Sequence, residues 1–86
     1  MSSDYTRTML ACALKTQETL DFLIDWKESE ERSLAHYNSR LDGRMDNFYL
    51  KRIEDTKAVI ASLSSQIETK KNWVKDYTKR ALDSIG

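Results

Sequence analysis

The sequence predicts an all-α protein, an antiparallel helical hairpin, on three observations. It has no proline and only two glycines, one of them the terminal Gly86. Both halves space their apolar residues alternately by four and three. One short stretch, 38–43, gathers the turn-forming residues Asn38, Ser39, Asp42 and Gly43. A β-rich fold needs many turns, and turns draw on Gly, Pro or Asn-Gly pairs. A chain with a single such signal is therefore a poor sandwich, barrel or Rossmann-like unit. Its length of 86 residues allows one domain, spanning 1–86, with a modest core.

The first helix starts near Ser3 and Asp4, with the acid in the first turn, where the helix dipole favours it. Met9, Ala13, Thr16, Leu20, Leu23, Lys27, Glu30, Leu34, Tyr37 and Leu41 then keep the four-three spacing. The segment Lys27 to Ser33 has no apolar residue. The helix either continues there with a solvated turn or bends, and Ser29 could cap a restarted helix. Gly43 can take a left-handed, helix-ending conformation at little cost, and Asp42 or Asp46 can cap the second helix.

The second half is more regular. Tyr49, Ile53, Thr56, Ile60, Leu63, Ile67, Lys70, Val74, Tyr77 and Ala81 form a heptad stripe. A helix over about 46–84 would be roughly 55–60 Å long at 1.5 Å per residue. Two such helices joined by a short turn make a hairpin that buries one stripe each. Apolar residues also fall on other faces, including Phe22, Trp26, Phe48, Val59 and Trp73. Burial between copies, in a helical homo-oligomer, is the simplest account of them. A kinked three-helix monomer is the rival architecture.

The composition restricts function. With one histidine (His36) and one cysteine (Cys12), a nitrogen–sulfur metal cluster or a Cys–His dyad has too few members. There is no Gly-rich phosphate loop, no nucleophile elbow and no paired-carboxylate motif. The expectation is a protein that is not an enzyme, with no metal and no cofactor. One unpaired cysteine fits a reducing cytoplasm, and no apolar run approaches a membrane span, so no membrane is expected as partner. The net charge is zero, with 14 basic and 14 acidic residues, which argues against DNA or RNA.

Charge is segregated along the chain. Residues 18–31 carry a net −5 and residues 69–82 a net +4. Folding about residues 42–43 places position i opposite about 86 − i. The basic segment then meets residues 4–17, which add a further +1, so the open end of the hairpin is basic. Tyr5, Thr6, Thr8, Trp73, Tyr77 and Thr78 lie in the same zone. Phosphates take cations and directional donors, and base rings take flat aromatic partners. Arg7, Lys15, Lys71 and Lys75 are the candidate cations and Tyr5 the candidate platform. The competing account is structural: lysines 71, 75 and 79, spaced by four, make an ordinary solvated row or pair with the acidic segment of a neighbouring copy.

The segment Leu14-Lys15-x-x-Glu18, with Leu20 and Leu23 after it, resembles the first helix of phage-encoded anti-CBASS sponges, over about the first quarter of the chain. Members of that family carry an Ile-Lys-type segment preceded by a tyrosine. The resemblance implies a helical, oligomeric, non-enzymatic protein that sequesters cyclic di- or trinucleotide second messengers between subunits, acting in the host cytoplasm. It implies that Lys15 holds a phosphate and that an upstream tyrosine, here Tyr5, stacks on a base. The basic, aromatic end, rather than the resemblance, offers Arg7, Lys71 or Lys75 as supporting cations. The alternative function is a small helical inhibitor or adaptor that binds another protein through an exposed helix face around Phe22, Trp26 and the acidic turn.

Overall fold

In a computed structural model, the described residues are 2–40 and 47–85, and they form two helices packed against each other. Helix α1 runs Ser2–Arg40 and helix α2 runs Asn47–Ile85, each of 39 residues. The expected caps and hinge at Asp42, Gly43 and Asp46 lie outside the described residues. The rod they build measures 65 × 14 × 14 Å.

Helix α1 passes through 27–33 without interruption. The structure therefore chooses the continuous helix over the bend. Glu, Lys, Arg and Ser are all tolerated on a helix when their side chains reach water. The two stripe positions in that segment, Lys27 and Glu30, are half-buried all the same. A lysine stem lies along apolar surface while its ammonium stays wet. Glu30 gains a donor, because Trp26 Nε1–H donates to its Oε1 at 3.2 Å.

The four-three stripes are what the helices bury. Ala13, Leu20 and Leu23 on α1 and Ile53, Thr56, Leu63, Ile67 and Ala81 on α2 are buried. Every other described stripe position is half-buried. The centre of the rod holds Leu20, Leu23, Leu63 and Ile67, with Ile24 and Val59 against them. Lys70 is the charged member of the α2 stripe, and its Nζ lies 4.0 Å from the Trp73 ring centroid. A desolvating position suits an ammonium better when an aromatic face receives it. In both helices, then, a tryptophan beside the stripe accommodates a charged residue within it.

The register is close to the expected one. Tyr37 and Tyr49, whose numbers sum to 86, stack with centroids 6.4 Å apart near the turn. At the open end the hydroxyls of Thr6 and Ser84 meet, four positions out of that sum. Ser84 donates its one hydroxyl hydrogen to the Ala81 carbonyl at 2.7 Å, which leaves its oxygen to accept from Thr6. Small residues at Ala13 and Ala81 let the helices approach closely at this end; Ala81 is 0% exposed.

Candidate functional site

The open end is where the sequence places its site, and the helical phase decides what can converge there. Take the heptad with Ala13 and Leu20 at a and Leu23 at d on α1, and Ile53 and Ile67 at a and Leu63 at d on α2. The helices run in opposite directions, so the e positions of both line one flank of the rod and the g positions of both line the other. The outer b positions adjoin the e flank, and the c positions adjoin the g flank.

The exposed large apolar side chains divide cleanly between these flanks. Tyr5, Phe22, Trp26, Phe48 and Trp73 fall on the g and c positions. Leu10, Leu14, Leu82 and Ile85 fall on the e and b positions. One flank is thus aromatic and the other aliphatic. Neither the sequence spacing nor the composition alone separates them, because the separation needs the direction in which α2 returns.

The predicted ligand residues divide in the same way. Tyr5 and Lys15 are exposed on the aromatic flank, with ten residues of helix, about 15 Å, between them. Trp73 stands exposed on that flank in the part of α2 that returns beside them. Arg7, Lys71 and Lys75 are exposed on the aliphatic flank. The five side chains share the open half of the rod, Lys71 close to its middle, but they do not face one another within a single chain. Arg80, another cation of the basic end, is 3.1 Å from Asp76 in an exposed i, i+4 pair. Thr8 donates its hydroxyl to the Asp4 carbonyl at 2.9 Å, one turn back on its own helix.

The aromatic flank carries two clefts, of which sequence reasoning anticipated the Phe22–Trp26 face but not the one at Phe48. The first is a shallow cleft of about 390 Å³ lined by Phe22, Asp25, Trp26 and Ser29. Phe22 is 64% exposed, and its ring lies 6.1 Å from that of Trp26. The i, i+4 spacing of two aromatic residues was the signal for it. The second is a cleft of about 320 Å³ lined by Phe48, Lys51, Arg52 and Asp55, where the Arg52 guanidinium lies 5.5 Å from the Phe48 centroid.

Cys12 is half-buried, and His36 is exposed with its ring 6.0 Å from that of Tyr37. Among the described residues, no three metal-ligating side chains come together. No described helix is long and apolar enough to cross a membrane. No protein-family model, curated protein or solved structure matches the chain.

Proposed function

We propose that the chain is a non-enzymatic binding protein, an assembly of copies that holds cyclic di- or trinucleotides in pockets between subunits and so withdraws them from signalling. The observation that carries this reading is the aromatic flank at the open end. There Tyr5 and Trp73 present rings to solvent, and Lys15 adds a cation on the same flank. Ring and ammonium are what a base and a phosphate each take. A rod 14 Å across has no second wall to close over such a ligand, so a neighbouring copy supplies it. The likeness of Leu14-Lys15-x-x-Glu18 to anti-CBASS sponges supports the same ligand class, and with it a role in the host cytoplasm against anti-phage signalling. Lys15 is the phosphate contact and Tyr5 the stacking platform, with Arg7, Lys71 and Lys75 as cations that only a neighbouring subunit can bring to the same pocket.

A thermal-shift screen with cyclic di- and trinucleotides tests this. A ligand at a hundred times its dissociation constant adds about 2.7 kcal/mol. In a domain of this size that raises Tm by about 10 °C or more. Tyr5→Ala and Lys15→Ala should each reduce the shift. No shift with any member of the series sinks the reading; a shift that survives both substitutions moves the site elsewhere.

A second reading has its own observation. The exposed Phe22–Trp26 pair, with Asp25 beside it, is the kind of face that an adaptor or inhibitor lays against another protein. The double variant Phe22→Ala/Trp26→Ala separates the two. In a sponge it leaves the nucleotide-induced shift intact; in an adaptor, which shows no such shift, it abolishes binding of the partner protein.

A further inference from the structure

We infer that the aliphatic flank is a self-complementary interface, by which two copies of this chain pack antiparallel about a twofold axis. This interface rests on the assembly half of the function proposed above and goes further by fixing the face that assembles.

On α1, the exposed e and b positions carry Arg7, Leu10 and Leu14 toward the open end and Asp21, Glu28 and Glu31 toward the closed end. Laid antiparallel on a second α1 about a midpoint at Thr19, this row is complementary to itself. Arg7 of one copy meets Glu31 of the other, Leu10 meets Glu28, Leu14 meets Ile24, and Gln17, which donates to Asp21 on its own helix at 2.9 Å, meets Asp21 of the other copy. Leu14 is 64% exposed, and Ile24 is only partly covered by the core. A like-charged apposition occurs nowhere in this pairing.

Helix α2 gives the same result independently. On its e and b positions Glu68 and Lys71 are exposed. An antiparallel pairing with a second α2 about a midpoint between Thr69 and Lys70 brings Lys71 of one copy onto Glu68 of the other and places Lys75 against the serines at 64 and 65. The hairpin fixes whether both midpoints can be used at once. Leu20 and Ile67 belong to one core cluster, and the register runs from a sum of 86 at the Tyr37–Tyr49 end to 90 at Thr6–Ser84. Thr19 and the point between Thr69 and Lys70 therefore stand at one level of the rod. A single twofold axis serves both helices, which is the condition an isologous dimer must meet. The rods then overlap over nearly their whole length, as an antiparallel four-helix bundle. Such a bundle covers Leu14 with Ile24, sets Leu10, Leu82 and Ile85 against the methylene stems of Glu28, Lys57 and Glu54, and leaves the aromatic flank facing outward.

The pairing turns two proposed ligand cations, Arg7 and Lys71, into contacts between copies and leaves Tyr5 and Lys15 on the outward flank, where a further copy, not the twofold partner, closes the ligand pocket. Charge swaps on the full chain, read by sedimentation, test it. Arg7→Glu should raise the dimer dissociation constant about tenfold or more, since the axis counts each substitution twice. Arg7→Glu/Glu31→Arg should return it to within about threefold of the original value. Leu14→Glu should give monomers that keep their helical circular dichroism. A wild-type chain that sediments as a monomer overturns both the interface and the assembly on which it rests. Oligomers that persist in Leu14→Glu, or a charge swap that fails to rescue, overturn this face and leave assembly through another. Nucleotide-induced shifts, measured in the same variants, report on ligand binding separately.

Discussion

Leu63→Ala should lower the stability of the folded chain by about 2–5 kcal/mol, the range for removing a leucine side chain from a packed interior. Leu63 is 1% exposed and lies among Leu20, Leu23 and Ile67 at the middle of the rod. A two-helix hairpin has one layer of such contacts, so its neighbours have little freedom to close the gap from another side. Small domains are marginal to begin with, and a loss of this size is a large part of what an 86-residue chain holds. The thermal melt read by circular dichroism should move down by about 10 °C or more. By comparison, Leu14→Ala, on the exposed aliphatic flank, should move the monomer's melt very little. A Leu63→Ala protein that melts within a degree or two of the parent would mean that the core is not where the burial places it.

Ser29→Pro should be comparably damaging, for a different reason. Ser29 is exposed and takes no part in the stripe, so its side chain contributes little to packing. The backbone is what matters. Proline removes the amide that bonds to the carbonyl of residue 25 and drives its ring into that carbonyl, which costs about 3 kcal/mol or more inside a helix. Because α1 is one helix from Ser2 to Arg40, the kink also misaligns everything beyond it. Ser29→Ala, at the same position, should be neutral or slightly stabilising, since alanine is the better helix former. If α1 were instead broken near 27–33, proline would be tolerated there. Denaturant titration of the two variants reads the difference directly.

That segment also shows where the sequence was readable and where it was not. The stripe residues were legible from spacing alone because burial in a hairpin obeys helical phase, and phase is countable. Lys27 and Glu30 sat at stripe positions in the count, yet their charge left open whether the helix continued. What accommodates Glu30 is local: Trp26, one turn earlier on the same helix, supplies a donor to it, an i, i+4 contact that the spacing allowed but the apolar count did not weigh. Lys70 is the same case, received by the ring of Trp73. The candidate site was legible only as a neighbourhood. Tyr5, Arg7, Lys15, Lys71 and Lys75 lie in one half of the rod, from its open end to near its middle. Their division between two flanks depends on the antiparallel sense of rotation, which a one-dimensional charge count does not contain. The separation of aromatic from aliphatic surface was hidden for the same reason.

The two ends of the rod differ in how they come together. Tyr37 and Tyr49 are 12 residues apart in the chain, whereas Thr6 and Ser84 are 78 apart. Contacts near the turn close short loops, and each step outward lengthens the loop only a little once the previous pair has formed. The expected order of closing therefore runs like a zipper, from the tyrosines toward the termini, and hydrogen exchange fastest at the open end would be its mark. Leucine and isoleucine hold its middle, while the open end has Ala13 and Ala81, the half-buried Met9, Val74 and Tyr77, and a hydroxyl pair. The last teeth of the zipper can part while the centre stays shut. A ligand held at that end would then act as the clasp, converting the loosest part of the chain into an ordered one.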